Sequence, residues 1–252
     1  MSDGAPVAAI PLDWTLLPGR PVLTDGVVHL VACRVPDGHT CNPAQWSLLS
    51  EAESRRAARF RFDLHRNRWV AGRSLLKCLL ARYAGGSPGS IRLGFGEIGK
   101  PYLETPAATG IRFNYTDSGG HLIYALARDV EVGVDLEVLP RATNYAGLAP
   151  RKLSPTELEA FSRLPEVHRE HAFLANWTRK EAYGKALGVG IRFPMREVTL
   201  CEDYSKPDHR VTAADGEYRL MQVAPPFPGL ACVAAAAGGA IRLEGFTTTV
   251  EP

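Results

Sequence analysis

Two carboxylates two residues apart, Asp135 and Glu137, lie in Gly133-Val134-Asp135-Leu136-Glu137, and a third, Glu181, lies in Trp177-Thr178-Arg179-Lys180-Glu181-Ala182-Tyr183-Gly184-Lys185. In a strand, residues i and i+2 share a face, so Asp135 and Glu137 point the same way while Val134 and Leu136 point inward. Neighbouring carboxylates repel unless a cation lies between them. Their oxygens suit Mg²⁺, which keeps several waters and binds phosphates as well. Taken alone, D-x-E is most simply the acidic solvent face of an alternating strand. Glu181 follows Trp177 by four residues and Leu174 by seven, on or beside the apolar face that Phe173, Leu174, Trp177 and Leu187 give a helix. A carboxylate there is costly unless a cation or hydrogen-bond donors hold it. Taken alone, the simplest holder is Lys185 in an exposed i,i+4 pair, worth about 0.2–0.5 kcal/mol.

Other stretches suit an anion. From Arg55 to Arg82 the basic residues are Arg55, Arg56, Arg59, Arg61, Arg66, Arg68, Arg73, Lys77 and Arg82, against the single acid Asp63. Such a patch attracts anions. Gly99-Lys100-Pro101 presents a lysine in a tight turn. Phe113-Asn114-Tyr115-Thr116-Asp117-Ser118-Gly119-Gly120 reads as a strand ending in a small polar turn, whose amides and hydroxyls can hold a phosphate oxygen. Singly, each is an ordinary solvated turn.

These residues need elements to position them. Residues 1–20 have no clear period and read as an extended lead-in. Val27–Cys33 is a strand by its β-branched content. Asn42-Pro43 starts a helix, and Glu51–Tyr83 is mostly helical, with Phe60, Leu64, Trp69, Leu75, Leu76, Leu79 and Leu80 leaving the arginines on the other face. Gly85-Gly86-Ser87-Pro88-Gly89 breaks it. Short strands follow at Ile91–Phe95, Pro101–Leu103, Arg112–Tyr115, His121–Ala127 and Glu131–Val138, and 140–150 reads as a linker. Ser154-Pro155 opens a helix, a second runs from Glu166 to Leu187, and Gly188 and Gly190 end it. Strands at Glu197–Cys201, Tyr218–Val223 and Ala231–Ala236 complete the chain. Each half reads as a helix plus a few antiparallel strands, with the element order loosely duplicated. The expected fold is α+β in two lobes, 1–140 and 141–252.

The 252 residues, 45% hydrophobic and 22% charged with net charge +2, are those of an ordinary globular protein. No apolar run nears the roughly 18 residues of a membrane span, and Met1–Pro6 lacks the start of a signal peptide. Five scattered cysteines without CxxC spacing indicate neither a zinc site nor a disulfide framework. The basic helix lacks the interleaved aromatics of a nucleic-acid module. A cytoplasmic protein with neither membrane nor nucleic-acid partners is expected.

In this order, the basic helix, Gly99-Lys100-Pro101, Phe113-Asn114 with Ser118-Gly119, Gly133-Val134-Asp135-Leu136-Glu137 and Trp177-x-x-Lys180-Glu181-Ala182-x-x-Lys185 together resemble the 4′-phosphopantetheinyl transferases. The resemblance runs from about Arg55 to Phe193 and is closest to the monomeric two-lobed group typified by the surfactin-synthetase activator Sfp. It implies two pseudo-symmetric lobes, each a small antiparallel sheet with a long helix. It also implies transfer of the phosphopantetheine arm of coenzyme A to a serine of an apo acyl or peptidyl carrier protein, with release of 3′,5′-ADP. Such carriers belong to polyketide, peptide and fatty-acid synthases.

By the resemblance, Asp135, Glu137 and Glu181 hold Mg²⁺, with Mn²⁺ as the alternative. Glu181 also serves as general base, and Lys185 steadies the pyrophosphate or leaving group. Arg56, Arg59 and Arg68 are candidates for the 3′-phosphate and adenine end, Gly99, Lys100 and Pro101 for the nucleotide-contacting turn, and Thr116, Asp117 and Ser118 for the phosphate-contacting turn. Lys180 joins the coenzyme A contacts, and Trp177 is a core aromatic. Arg179 and Arg192 are expected to meet an acidic carrier.

Two positions depart from the pattern. Asp117 stands where the family carries a histidine for the 3′-phosphate, so it either caps the local backbone, leaving the anion to Arg68 or His121, or accepts hydrogen bonds from the nucleotide. Glu53 is acidic where relatives often have lysine. Competing readings are a catalytically weak coenzyme A- or carrier-binding module and a magnesium-dependent nucleotide hydrolase. The second lacks a Walker-type loop.

Overall fold

The computed structural model describes residues 7–141, 143–214 and 216–250; residues 1–6, the start of the expected lead-in, lie outside them. In chain order the elements are β1 (Trp14–Leu16), β2 (Val27–Arg34), α1 (Pro43–Ser47), α2 (Glu51–Ala57), α3 (Asp63–Ala84), β3 (Arg92–Phe95), β4 (Pro101–Thr105), β5 (Ile111–Ser118), β6 (His121–Arg128), β7 (Val132–Val138), α4 (Tyr145–Lys152), α5 (Pro155–Ser162), α6 (Glu166–Ala186), β8 (Asp208–Ala213), β9 (Gly216–Val223), β10 (Gly229–Ala236) and β11 (Arg242–Thr247). None of the described helices is long and apolar enough to cross a membrane.

The fold is α+β. One sheet has strand order β1-β11-β2-β6-β5, a second β7-β10-β9-β8, and β3-β4 is a separate hairpin. Pairing is antiparallel except for β1 with β11 and β11 with β2, which are parallel. Alternate residues of β2 and β6 point to opposite faces. Val31, Cys33, Leu122 and Tyr124 pack with Leu75, Leu76 and Leu79 of α3. Leu30, Ala32, Ile123 and Ala125 meet Val134, Leu136 and Val233 of the second sheet. On the far side of that sheet, Ala182, Tyr183 and Ala186 of α6 cover Leu220, Cys232 and Ala234. The layers therefore run helix, sheet, sheet, helix. The sheets also cross the expected divide at residue 140: β7 lies in the sheet otherwise built from 208–236, and β11 in the sheet of β2.

Matching clasps tie each long helix to its surroundings. Ser50 and Glu53 form a capping box at the start of α2, as Ser154 and Glu157 do at α5. Both glutamates are buried, and each takes a lysine from a long helix: Lys77 Nζ lies 2.7 Å from Glu53, and Lys180 Nζ 2.8 Å from Glu157. Glu53 is thus a structural residue with a cation of its own.

Several sequence-based expectations need correction. The helical run Glu51–Tyr83 is broken between α2 and α3. Arg73 and Lys77 are not on an exposed basic face but buried beside Glu53. Residues 140–150 contain the start of α4, capped by Asn144. Residues 197–201 form no strand, because the Leu200 and Cys201 amides donate to Glu157 Oε1 at 2.7 and 3.3 Å instead of to a ladder. Strands β1, β8 and β11 were unanticipated.

Candidate active site

Strands β5 and β7 meet where the two sheets adjoin, and side chains bridge them. Every second residue of β5 reaches across, as strand periodicity requires. Asn114 Oδ1 accepts from the Val134 amide (3.1 Å), Thr116 Oγ1 donates to Asp135 Oδ1 (3.2 Å), and Ser118 Oγ accepts from the Val138 amide (3.2 Å) and donates to Glu137 Oε2 (3.3 Å). The strand continues through Ser118, and the turn is Gly119-Gly120, later than expected.

Gly133 decides which way the acidic pair faces. A Cβ there would lie 2.0 Å from Ala182 O and 2.4 Å from Ala186 N, so the backbone of α6 passes directly over this residue. Asp135 and Glu137 share that face and are turned toward the helix, both buried rather than on a solvent face. From α6, Lys185 Nζ donates to Asp135 Oδ1 at 2.7 Å and to Val134 O at 3.0 Å. Glu181 stands one turn earlier, partly buried. Burial pushes the Asp135 carboxyl above its usual range, with Lys185 and Thr116 opposing. Burial, and then the charge of Asp135, push Glu181 up, against Lys185 and Lys152. The Lys152 ammonium lies 5.2 Å from the ring centroid of Trp177, which packs with the core as expected.

A groove of about 420 Å³ runs along this junction. One wall is Gly99, Lys100 and Pro101, and the other side is formed by Thr116, Asp117, Asp135 and Lys185. Seven of the expected site residues thus line one space, and Ser118 and Glu137, the next alternate residues of β5 and β7, are hydrogen-bonded to each other. Lys100 reaches past the groove: its ammonium donates to Glu131 Oε2 (2.6 Å) and to Ala186 O (2.8 Å) at the negative end of α6. Asp117 takes the first of its two alternatives, accepting the Gly120 amide at 3.0 Å. Arg68 lies against that turn, with its Nη2 on Asp37 (2.7 Å) and its buried Nε without a hydrogen-bond partner. At His121, burial and Arg34 lower the pKa. That favours a neutral ring, so Arg68 is the better cation of the two.

Arg56 and Arg59 are exposed and line a separate depression with Phe60. Arg56 lies over Trp69 (5.3 Å), and Arg73 lies between Trp69 (5.4 Å) and Tyr115 (5.6 Å), a cation–aromatic ladder that ends at the groove residue Tyr115. The sequence reading missed this ladder, the Arg141 guanidinium that sits on Glu137, and the parts of Lys152 beside Glu181 and Glu131 beside Lys100. Only the ladder had a signal, the Trp69–Arg73 spacing of one helical turn.

Two expected contacts fail on burial. Lys180 is fully buried, bound to Glu157 and to the Met195 and Val198 carbonyls, so it is not part of the groove. Arg179 is equally buried, donating to Cys201 Sγ (3.0 Å) and Lys206 O (3.4 Å), and cannot meet a partner. Arg192 is exposed. Among the described residues no three His, Cys, Asp or Glu side chains converge as a metal-ligand set.

Residues 131–223 match the family model of the 4′-phosphopantetheinyl transferase superfamily. The chain is 34% identical to the 4′-phosphopantetheinyl transferase HetI of Nostoc sp. over 90% of its own length and 96% of that protein's. It is 30% identical to a putative 4′-phosphopantetheinyl transferase of Synechocystis sp., covering 73% of this chain and 74% of the other. A more distant similarity, 26% over 62% of this chain and 55% of the other, is to the L-aminoadipate-semialdehyde dehydrogenase-phosphopantetheinyl transferase of Rattus norvegicus.

Proposed function

Because the chain belongs to the 4′-phosphopantetheinyl transferase superfamily, we propose that it moves the phosphopantetheine arm of coenzyme A onto a serine of an apo acyl or peptidyl carrier protein and releases 3′,5′-ADP. The observation that carries this reading is the groove in which Lys185 meets Asp135 beside Glu181, between Gly99-Lys100-Pro101 and Thr116.

The serine hydroxyl oxygen forms a bond to the phosphorus nearer the pantetheine. The bond from that phosphorus to the bridging oxygen breaks, and 3′,5′-ADP leaves with the electron pair. Glu181 accepts the serine proton. A raised pKa makes its carboxylate a stronger base, useful as long as it is ionised at working pH. Lys185 neutralises charge growing on the bridging oxygen. Arg68 and the exposed Arg56 and Arg59 attract the phosphates of the ADP end, with the Thr116 and Ser118 hydroxyls nearer the pyrophosphate.

The donor chemistry fits a divalent metal: buried carboxylates, one raising another's proton affinity, are hard oxygen ligands in need of positive charge. With Lys185 on Asp135 and Arg141 on Glu137 the three carboxylates do not converge as a ligand set; drawn together, Asp135, Glu137 and Glu181 would hold Mg²⁺ or Mn²⁺, and such an ion would supply charge neutralisation for the pyrophosphate.

The proposal extends to an Sfp-type cytoplasmic monomer in which residues 1–140 carry most coenzyme A contacts and 141–252 face the carrier. Five buried free thiols support a reducing compartment. The test is the intact mass of an apo carrier protein incubated with coenzyme A, Mg²⁺ and this protein. A gain of one phosphopantetheine arm, blocked by EDTA, is expected. No gain across several carrier types while coenzyme A still binds would replace the transferase with a binding module.

A further inference from the structure

The Arg141 guanidinium, on the loop after β7, sits on the Glu137 carboxylate. Lys185 likewise sits on Asp135. Two of the three carboxylates proposed to hold a divalent ion are therefore each paired with a side-chain cation. The pairs differ in their freedom. Lys185 is three-quarters buried and also tied to the Val134 carbonyl, whereas Arg141 is about half exposed, at 49%, over a Glu137 side chain only 9% exposed. A half-exposed arginine can leave for water at little cost.

We infer that Arg141 is a displaceable counter-ion: it neutralises Glu137 while no divalent ion is bound, and pairs with a phosphate of coenzyme A once one is. The inference rests on the metal reading proposed above. Its logic is charge. Three carboxylates against Lys185 and Arg141 leave a net negative charge of one, which Lys152, acting on Glu181 from the end of α4, offsets. A divalent ion makes the site net positive and repels the guanidinium from Glu137. The incoming nucleotide phosphates, those that coenzyme A shares with 3′,5′-ADP, restore balance, and a guanidinium fork suits phosphate oxygens. Arg141 is thus a positioning residue that favours ordered loading, metal and nucleotide together.

The test is calorimetric and needs no turnover: Mn²⁺ is titrated into wild type, Arg141→Gln, Arg141→Lys and Asp135→Asn, and 3′,5′-ADP is then titrated in the presence of Mn²⁺. An exposed ion pair is a weak competitor, so Arg141→Gln should bind Mn²⁺ alone about two- to tenfold tighter. The gap should narrow at high KCl, where the pair is screened. The same variant should bind 3′,5′-ADP about three- to tenfold more weakly, while Arg141→Lys stays near wild type in both and the melting temperatures agree. These opposite shifts are the signature, since a merely structural role would weaken both. Unchanged or weaker Mn²⁺ binding by Arg141→Gln, with Asp135→Asn abolishing it, would overturn the counter-ion role and leave the metal reading standing. No Mn²⁺ uptake by wild type, with or without 3′,5′-ADP, would remove the metal reading and this inference with it.

Discussion

Replacing Gly133 with alanine tests the link between packing and chemistry. The added methyl would stand 2.0 Å from Ala182 O and 2.4 Å from Ala186 N, both backbone atoms that no rotamer change can move. Ordinary contact begins at 3.4 Å, so α6 must retreat by about 1.4 Å. Overpacking of this kind costs about 1–3 kcal/mol, which for a chain of this size lowers Tm by about 2–12 °C. Glu181 and Lys185 travel with the helix, and the 2.7 Å contact of Lys185 with Asp135 is the first to open. A misplacement near 1 Å can cost about 100-fold in rate, so kcat/KM for carrier modification should fall by about that factor. Val134→Ala is the control: Val134 is fully buried between the sheets, facing away from α6. It should lower Tm comparably and leave kcat/KM within about threefold. A Gly133→Ala protein with wild-type Tm and kinetics would refute the inferred approach of α6 to β7.

Three further outcomes follow from the structure. Lys180→Met leaves Glu157 buried without its cation, which should cost about 3–5 kcal/mol of stability; on thermal and kinetic assays it should lower Tm while the folded protein keeps its KM for coenzyme A, and a raised KM at unchanged Tm would restore Lys180 to the binding site. Because the folded protein holds the Glu181 proton more tightly than the unfolded chain does, the contribution of Glu181 to stability is full below the ordinary carboxylate range and is lost as pH rises through it toward the raised folded value. Metal-free Glu181→Gln should therefore melt at or above wild type at neutral pH, with the difference vanishing in acid, and a lower Tm at neutral pH would contradict this. Charge reversal of the exposed pair Arg192 and Arg196 should raise KM for an acidic carrier several-fold and leave that for coenzyme A unchanged; equal effects on both would exclude this docking face.

Legibility in the sequence followed physical cause. The period of two in β5 and β7 and the single-turn spacing of Glu181 and Lys185 are local geometry, and the groove gathers Thr116, Asp135 and Lys185 accordingly. Lys180 and Arg179 were misjudged because proximity to Glu181 in sequence says little about direction. Successive helix residues point about 100° apart, and both face the buried side of α6. Glu53 departs from the family pattern and stays outside the expected site, and its structural role goes unread: Ser50-x-x-Glu53 and Ser154-x-x-Glu157 are the same capping signal written twice, and the lysine answering each lies on a long helix further along the chain. Strands β1, β8 and β11 lie at or near sheet edges, half exposed, and carry little apolar alternation to read. Arg141 follows Glu137 by four residues, but a strand end and a loop separate them, and that spacing pairs side chains only on a helix.

The most direct test is made at Glu181. Glu181→Gln and wild type are compared by intact-protein mass spectrometry for transfer of one phosphopantetheine arm to an apo carrier, and by calorimetry for 3′,5′-ADP binding. Loss of transfer by at least about 100-fold with nucleotide binding kept within about tenfold is the expected result. Transfer by Glu181→Gln at near wild-type rate would contradict the assignment of the base and of the groove built around it.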